Sequence, residues 1–262
     1  MLPHSGTAQD ADTKTERYMF TLLKQLKQAG GALATMIYPP HCVHCGKDTP
    51  PGDPLCRACL DSAKRIEPPF CEACSQPFDG ALDGVFVCSN CSHRRLYFAC
   101  AVSAYRSRGI VRELVHRFKY EGESHLRRPL ARWLGEALDD PRIRSSPFDF
   151  FVPVPLHPLR RRAREFNQAE VLARILAGRS GPPVVDCLER VRDTPTQIHL
   201  DREQRMENLR NAFEMRKNRD VRGKHLILVD DVFTTGSTAE ECSRVLSRAG
   251  AGSIRVITVA RG

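Results

Sequence analysis

The stretch LILVDDVFTTGST, Leu226 to Thr238, limits what this chain can fold into more than any other. Leu226 to Val229 form an unbroken apolar run, the mark of a strand covered on both faces. Two acids, Asp230 and Asp231, end it, and Thr234, Thr235, Gly236, Ser237 and Thr238 lead toward a helix. Ligands of open α/β sheets bind beyond the carboxyl ends of strands, where these acids fall. A helix start offers unpaired N–H groups to an anion, Gly236 permits close backbone approach, and the hydroxyls add donors. The turn therefore suits a phosphate, and the acids suit hydroxyl donors or a magnesium shell. A ribose 5-phosphate offers both partners a few ångströms apart. An ATPase would pair such a strand with G-x-x-x-x-G-K-[ST]. Neither Gly46-Lys47 nor Gly223-Lys224 completes that pattern.

The rest of the C-terminal part alternates strands and helices. FACAVSAY reads as a strand, and IVRELVHRFKY as a helix with Ile110, Leu114 and Phe118 at four-residue intervals. A helix is expected around Leu130 to Leu138. Next come the strand FDFFVPVPL, the helix NQAEVLARILA, the strand VVDCL and a polar stretch from Arg190 to Arg210. The strand HLILVD, a helix from Thr238 to Arg248 and the strand SIRVITVA complete the order. This is an α/β domain with a mainly parallel sheet.

Residues 39 to 95 differ in kind. Eight of the eleven cysteines lie here in four C-x-x-C pairs: Cys42/Cys45, Cys56/Cys59, Cys71/Cys74 and Cys88/Cys91. That spacing turns two thiolates onto one metal, and two pairs complete a tetrahedral zinc site, so four pairs make two structural zincs. Sequential pairing is simplest; interleaved pairing and iron–sulfur or redox use are the alternatives. His41, His44 and His93 stand near the pairs but are read as surface residues, because the thiolates suffice. Cys100, Cys187 and Cys242 are expected to be ordinary buried thiols.

Residues 1 to 15 read as a polar tail and 16 to 29 as a short amphipathic packing helix. Three regions follow: 1–37, a double zinc ribbon over 38–95, and the α/β domain over 96–262. No run reaches a membrane span, and Lys24 and Lys27 break the apolar residues a signal peptide needs. A cytoplasmic protein without membrane insertion is expected. The net charge of +9 favours polyanionic ligands such as nucleotides, pyrophosphate or nucleic acid.

Several ordered motifs carry a resemblance: YPPHCVHCG, FKYEG, VPVPLHPLRRRAREFNQAE, RVRDTPTQIHLDREQRMENLRNAF and ILVDDVFTTGST. The chain resembles the ComF family, which joins a cysteine-rich zinc ribbon to a type I phosphoribosyltransferase domain. The resemblance implies that Asp230 and Asp231 bind the ribose hydroxyls of phosphoribosyl pyrophosphate and Thr234 to Thr238 its 5-phosphate, with Mg2+. Arg160, Arg161, Arg162 and Arg164, in the loop before NQAE, would face pyrophosphate, since guanidinium groups grip phosphates bidentately. The polar stretch from Arg190 to Asn208 would close over the site. Where the family shows Arg-Gly-Phe-Asn-Gln, this chain has Glu165 in place of the glycine, a residue that resists backbone geometries glycine permits. Thr234 stands where the resembling 6-oxopurine enzymes carry an Asp base, which argues against hypoxanthine or guanine as acceptor. Two functions follow: a phosphoribosyltransferase of unknown acceptor, or a non-catalytic nucleotide sensor or DNA-binding accessory of competence. The implied partners are phosphoribosyl pyrophosphate or a nucleotide, with single-stranded DNA or competence and recombination proteins.

Overall fold

The computed structural model describes residues 40–80, 82, 84–92, 94–193 and 202–262. The expected tail and amphipathic helix, together with His93, lie outside the described residues. By its contacts the chain parts into two units, one ending at Cys56 and one running from Arg57 to Gly262.

In the first unit the chain from Pro40 to Cys56 makes a zinc-knuckle turn. The Cys42 N–H bonds to Lys47 O at 2.7 Å, and Gly46 N–H returns to Cys42 O at 2.9 Å. Gly46 takes φ +73°, which the turn requires and a side chain resists.

In the second unit four parallel strands form one sheet: β1 (Ala101–Arg106), β2 (Phe150–Pro153), β5 (His225–Phe233) and β6 (Ser253–Arg261). Their order is β1-β6-β5-β2. Register runs Leu228 to Val256 between β5 and β6, and Phe151 to Ile227 between β2 and β5. A separate antiparallel pair joins β3 (Leu188–Arg190) to β4 (Phe213–Met215). The strand expected over VVDCL is displaced: Val184 makes only a single bridge to Phe151, and pairing starts at Leu188.

Leu226 to Val229 and Val256, Ile257 and Val259 are fully buried, so both sheet faces are covered. Helix Gly109–Tyr120 buries Ile110, Val111, Leu114, Val115 and Phe118, the stripe its periodicity implies. Helix Arg127–Glu136 packs on helix Gln168–Ser180. Two corrections concern the polar segments. The stretch before NQAE is not all loop: Pro158–Arg164 is helical, with Pro at its first turn and no buried residue to give a periodic signal. Within the stretch Arg190 to Asn208, Arg202–Leu209 also forms a helix.

The knuckle carrying Cys71 and Cys74 is built into this second unit. Ala101 N–H donates to Ala73 O at 2.8 Å, and Ser75 Oγ donates to Ala101 O at 2.9 Å. Cys71, Cys74, Cys88 and Cys91 belong to the same buried core as Phe98, Phe233 and Val256. Cys100, Cys187 and Cys242 are buried, as expected.

Candidate functional site

The carboxyl ends of neighbouring strands β2 and β5 open into a pocket of about 280 Å³. From β5 come Asp230 and Asp231, followed by Thr234 and Thr238. Just after β2 come Val154 and Pro155, then Arg160 and Arg164 on the short helix and Gln168 at the next helix start. Three further lining residues receive no individual role from the sequence, although Lys119 and Tyr120 stand in FKYEG and Arg190 opens the stretch expected to close over the site: the first two end helix Gly109–Tyr120 and the third ends β3.

Lys119 Nζ lies 2.7 Å from Asp231 Oδ1, and the Asp231 carboxylate is almost covered. Burial works against the Lys119 charge, but Asp231 and Asp230 outweigh it and hold the ammonium above its usual range. Asp230 accepts the Asp231 N–H at 2.9 Å. Burial first, and then the Asp231 charge, push the Asp230 carboxyl up to about 7, although Lys119 opposes this. Two acids thus share one fixed cation, and the second acid carries a proton through much of the acidic range.

Behind them lies the turn. Gly236 takes φ +79° and ψ 2°, immediately before helix Ser237–Arg248. The close approach it permits is to Phe233: a Cβ at Gly236 would meet Phe233 Cζ at 2.5 Å. The sequence reading put a phosphate there, and the aromatic ring has first claim on that space. Thr235 Oγ1 and Ser237 Oγ lie 2.9 Å apart, and the helix start has no side-chain cap. The Ser237 N–H reaches Thr235 Oγ1 at 3.5 Å, and of the five turn residues Thr234 and Thr238 line the pocket while Thr235, Gly236 and Ser237 do not.

The basic wall is uneven. Arg160 lines the pocket and pairs with Asp193 at 3.5 Å. Arg164 stacks over the Tyr120 ring at 4.7 Å. Burial, then the nearby Arg160 charge, lower Arg190 to about 10. Arg161 pairs instead with Glu170 at 3.3 Å, and exposed Arg162 does not line the pocket. Gln168 is 2% exposed, and among the described residues its Nε2 has no hydrogen-bond partner. Asn167 locks this helix start, donating from Nδ2 to Val154 O at 3.0 Å and accepting the Ala169 N–H at 3.1 Å. Glu165 has φ +64° and ψ −30°, the geometry expected to suit glycine, and its exposed carboxylate borders the groove with Arg160 and Arg164.

The cysteines gather as Cys42, Cys45, Cys56, Cys59 and as Cys71, Cys74, Cys88, Cys91, the sequential pairing. Within each group the sulfurs lie within 4.8 Å of one another. Tetrahedral Zn–S bonds of about 2.3 Å place sulfurs about 3.8 Å apart. The Cys45–Cys56 and Cys74–Cys88 separations of 3.5 and 3.6 Å fit. Hydrogen bonds from Cys74 and Cys91 pull the Cys71 thiol far down, while its own bond to Cys71 pushes Cys91 far up. Four adjacent sulfurs ionise together only around a cation, so the donor set calls for a zinc-type dication. Closed four-sulfur sites of this kind are structural.

Among the described residues, no helix is long and apolar enough to cross a membrane. Comparisons with known proteins agree with both parts of the chain. The double zinc ribbon domain family matches residues 33–92, and the phosphoribosyl transferase domain family matches residues 166–262. "Competence protein F" of Haemophilus influenzae is 30% identical over 226 residues, 84% of this chain and 96% of that protein. "DNA utilization protein YhgH" of Salmonella typhi is 40% identical over 151 residues, 56% of this chain and 66% of that protein. Among solved structures, a purine phosphoribosyltransferase from Pyrococcus horikoshii aligns with a TM-score of 0.30 and 18% identity, covering 49% of this chain and 68% of that one.

Proposed function

We propose that this chain, which belongs to the ComF family, binds phosphoribosyl pyrophosphate and transfers its phosphoribosyl group to a nitrogen acceptor. One observation carries the reading: the acid pair, Thr234 and Thr238 of the hydroxyl turn, and the cations Lys119, Arg160, Arg164 and Arg190 all line one pocket. A ligand needs both an anionic end and hydroxyl donors to satisfy such a site.

In this reading Asp230 and Asp231 accept the ribose 2′ and 3′ hydroxyls. Thr234, Thr235, Gly236, Ser237 and Thr238 surround the 5-phosphate with N–H and O–H donors. Arg160, Arg164 and Arg190 face pyrophosphate, and the unpartnered Gln168 Nε2 supplies a neutral donor to the same group. Asp230 and Asp231 would also hold Mg2+, which would supply charge neutralisation to the pyrophosphate. Lys119 must release Asp231 as the sugar enters. The protein contributes no nucleophile; fixed charges stabilise an oxocarbenium-like sugar and a departing pyrophosphate. Thr234 offers no general base, so the acceptor must be nucleophilic without one. A cytoplasmic location belongs to the same proposal, because none of the eleven cysteines forms a disulfide. By the names of its relatives, the activity serves competence or DNA utilisation.

The test is calorimetric titration with phosphoribosyl pyrophosphate and magnesium, followed by a pyrophosphate-release screen against a panel of bases. Asp231→Asn removes a charge-assisted hydrogen bond of roughly 1.5–3 kcal/mol, so affinity should drop roughly tenfold to a hundredfold. Equal binding by folded wild type and variant sinks the ribose assignment. Binding without release from any base leaves a ligand sensor rather than a transferase.

A further inference from the structure

Arg261, at the end of β6, is 5% exposed. Its Nη1 donates to Phe233 O at 3.1 Å and Thr234 O at 2.6 Å, and also to Gly262 O. These carbonyls begin the phosphate turn. The same guanidinium lies over the Phe233 ring, 5.2 Å from its centre, and that ring fills the space beneath Gly236. On its other side, Nη2 lies 3.9 Å from Cys74 Sγ. One buried cation therefore touches both the turn and the second cysteine group.

Charge makes this more than packing. A buried guanidinium must be hydrogen-bonded, and a nearby anion strengthens its hold. Among the described residues no Asp or Glu side chain pairs with Arg261, whereas Arg142, which reaches the same knuckle, pairs with Asp140 at 2.7 Å. The Cys74 sulfur, 3.9 Å away, is an anionic neighbour of Arg261 when it binds a metal. Four thiolates around one zinc ion carry a net charge of about −2, which a neighbouring arginine offsets.

We propose that Arg261 is a positioning residue. It ties the zinc group of Cys71, Cys74, Cys88 and Cys91 to the phosphate turn, so that loading of this site sets the turn's geometry and its phosphate affinity. The phosphate part rests on the function proposed above; the tie between zinc group and turn does not. Coupling of this kind is reciprocal: a ligand that orders the turn must also hold the zinc group closed.

The experiment compares full-length, zinc-loaded wild type, Arg261→Met and Arg261→Lys. Hydrogen exchange reads the peptide spanning residues 233–238. Alkylation of Cys74, mapped by mass spectrometry under a zinc chelator, reads opening of the second site. Arg261→Met should speed both by about tenfold, the weight of one charge-assisted hydrogen bond. Arg261→Lys should restore slow alkylation, because a point charge still faces the sulfur, but only part of the turn's protection, because the planar fork is lost. Ribose 5-phosphate should slow Cys74 alkylation in wild type and not in Arg261→Met.

Unchanged exchange in the turn, or unchanged alkylation, overturns the tie. So does a lysine variant that is as impaired as methionine in both readouts, since that marks general core damage. If Arg261→Met does not fold, the lysine variant alone decides: both readouts equal to wild type refute the proposal. If exchange and alkylation respond but ribose 5-phosphate protects nothing, the tie stands and the phosphate reading of the pocket falls.

Discussion

Gly236→Ala isolates what holds the phosphate turn in shape. An alanine at φ +79° pays roughly 1–2 kcal/mol in backbone strain. Its methyl would also meet Phe233 Cζ at 2.5 Å and Cε1 at 2.8 Å, inside any tolerable contact. The ring has little room to yield. It is 4% exposed, stacks edge-on against Phe98 at 6.0 Å and lies under Arg261. Overpacking of this kind costs about 1–3 kcal/mol. The sum, about 2–5 kcal/mol, corresponds to roughly 4–20 °C in the melting midpoint of a unit this size. The assay is thermal unfolding of four proteins: wild type, Gly236→Ala, Phe233→Leu and the double variant. Phe233→Leu removes the Cζ and Cε positions the methyl strikes, so the double variant should regain about 1 kcal/mol or more relative to additivity. Strict additivity, within about 0.5 kcal/mol, would refute the claim that this glycine exists to clear Phe233.

Three further predictions concern other parts of the molecule. Asp230, raised from 3.8 to about 7 by burial and by Asp231, adds stability that is full below pH 3.8 and lost as pH rises through 7. Asp230→Asn should therefore gain stability relative to wild type between pH 5.5 and 8 in parallel melts; a constant difference would refute the shift. The ligand should follow the opposite course, with affinity for phosphoribosyl pyrophosphate falling up to about tenfold per pH unit below 7. Metal analysis should find two zinc ions per chain, reckoned from two four-sulfur groups. Cys71→Ser should remove about one zinc and sharply lower the melting midpoint, because its sulfur group is part of the core; an unchanged midpoint would argue otherwise. Glu165→Gly relieves a positive φ and removes a carboxylate from the arginine groove. It should stabilise the fold by about 0.5–1 kcal/mol and tighten pyrophosphate binding, measured by melting and competition titration.

What could be read from the sequence followed from local pattern. The run Leu226 to Val229 announces a strand buried on both faces, and Ile110, Leu114 and Phe118 announce one face of a helix. C-x-x-C spacing announces the zinc groups because each ligand pair is local. Two kinds of feature were hidden. Helix Pro158–Arg164 buries nothing, so no periodicity betrays it; only the proline at its start hints at it. Pairings across the fold were hidden for another reason. Lys119 meets Asp231, and Arg261 meets Cys74, through the tertiary fold, and a strand such as SIRVITVAR does not say what its arginines touch. The candidate site was legible in its acid-and-turn half, which is contiguous in sequence. Its basic half draws on three separate segments: Lys119, the short helix and Arg190.

The strand order has a consequence for how the chain is made. β6 lies between β1 and β5, so the sheet closes around the last of the described strands in chain order. Ser103 on β1 finds its hydroxyl partner, Thr258, 155 residues further along. Until β6 emerges, β1 has no strand to pair with, and the second cysteine group lacks Arg261. Cys42 to Cys59 close over 17 intervening bonds of chain, from residue 42 to residue 59, and need no such wait. On the ribosome, both metal groups can thus close locally, but the packing of the second against the core and Arg261 should wait for the late, long-range condensation that slows folds of high contact order.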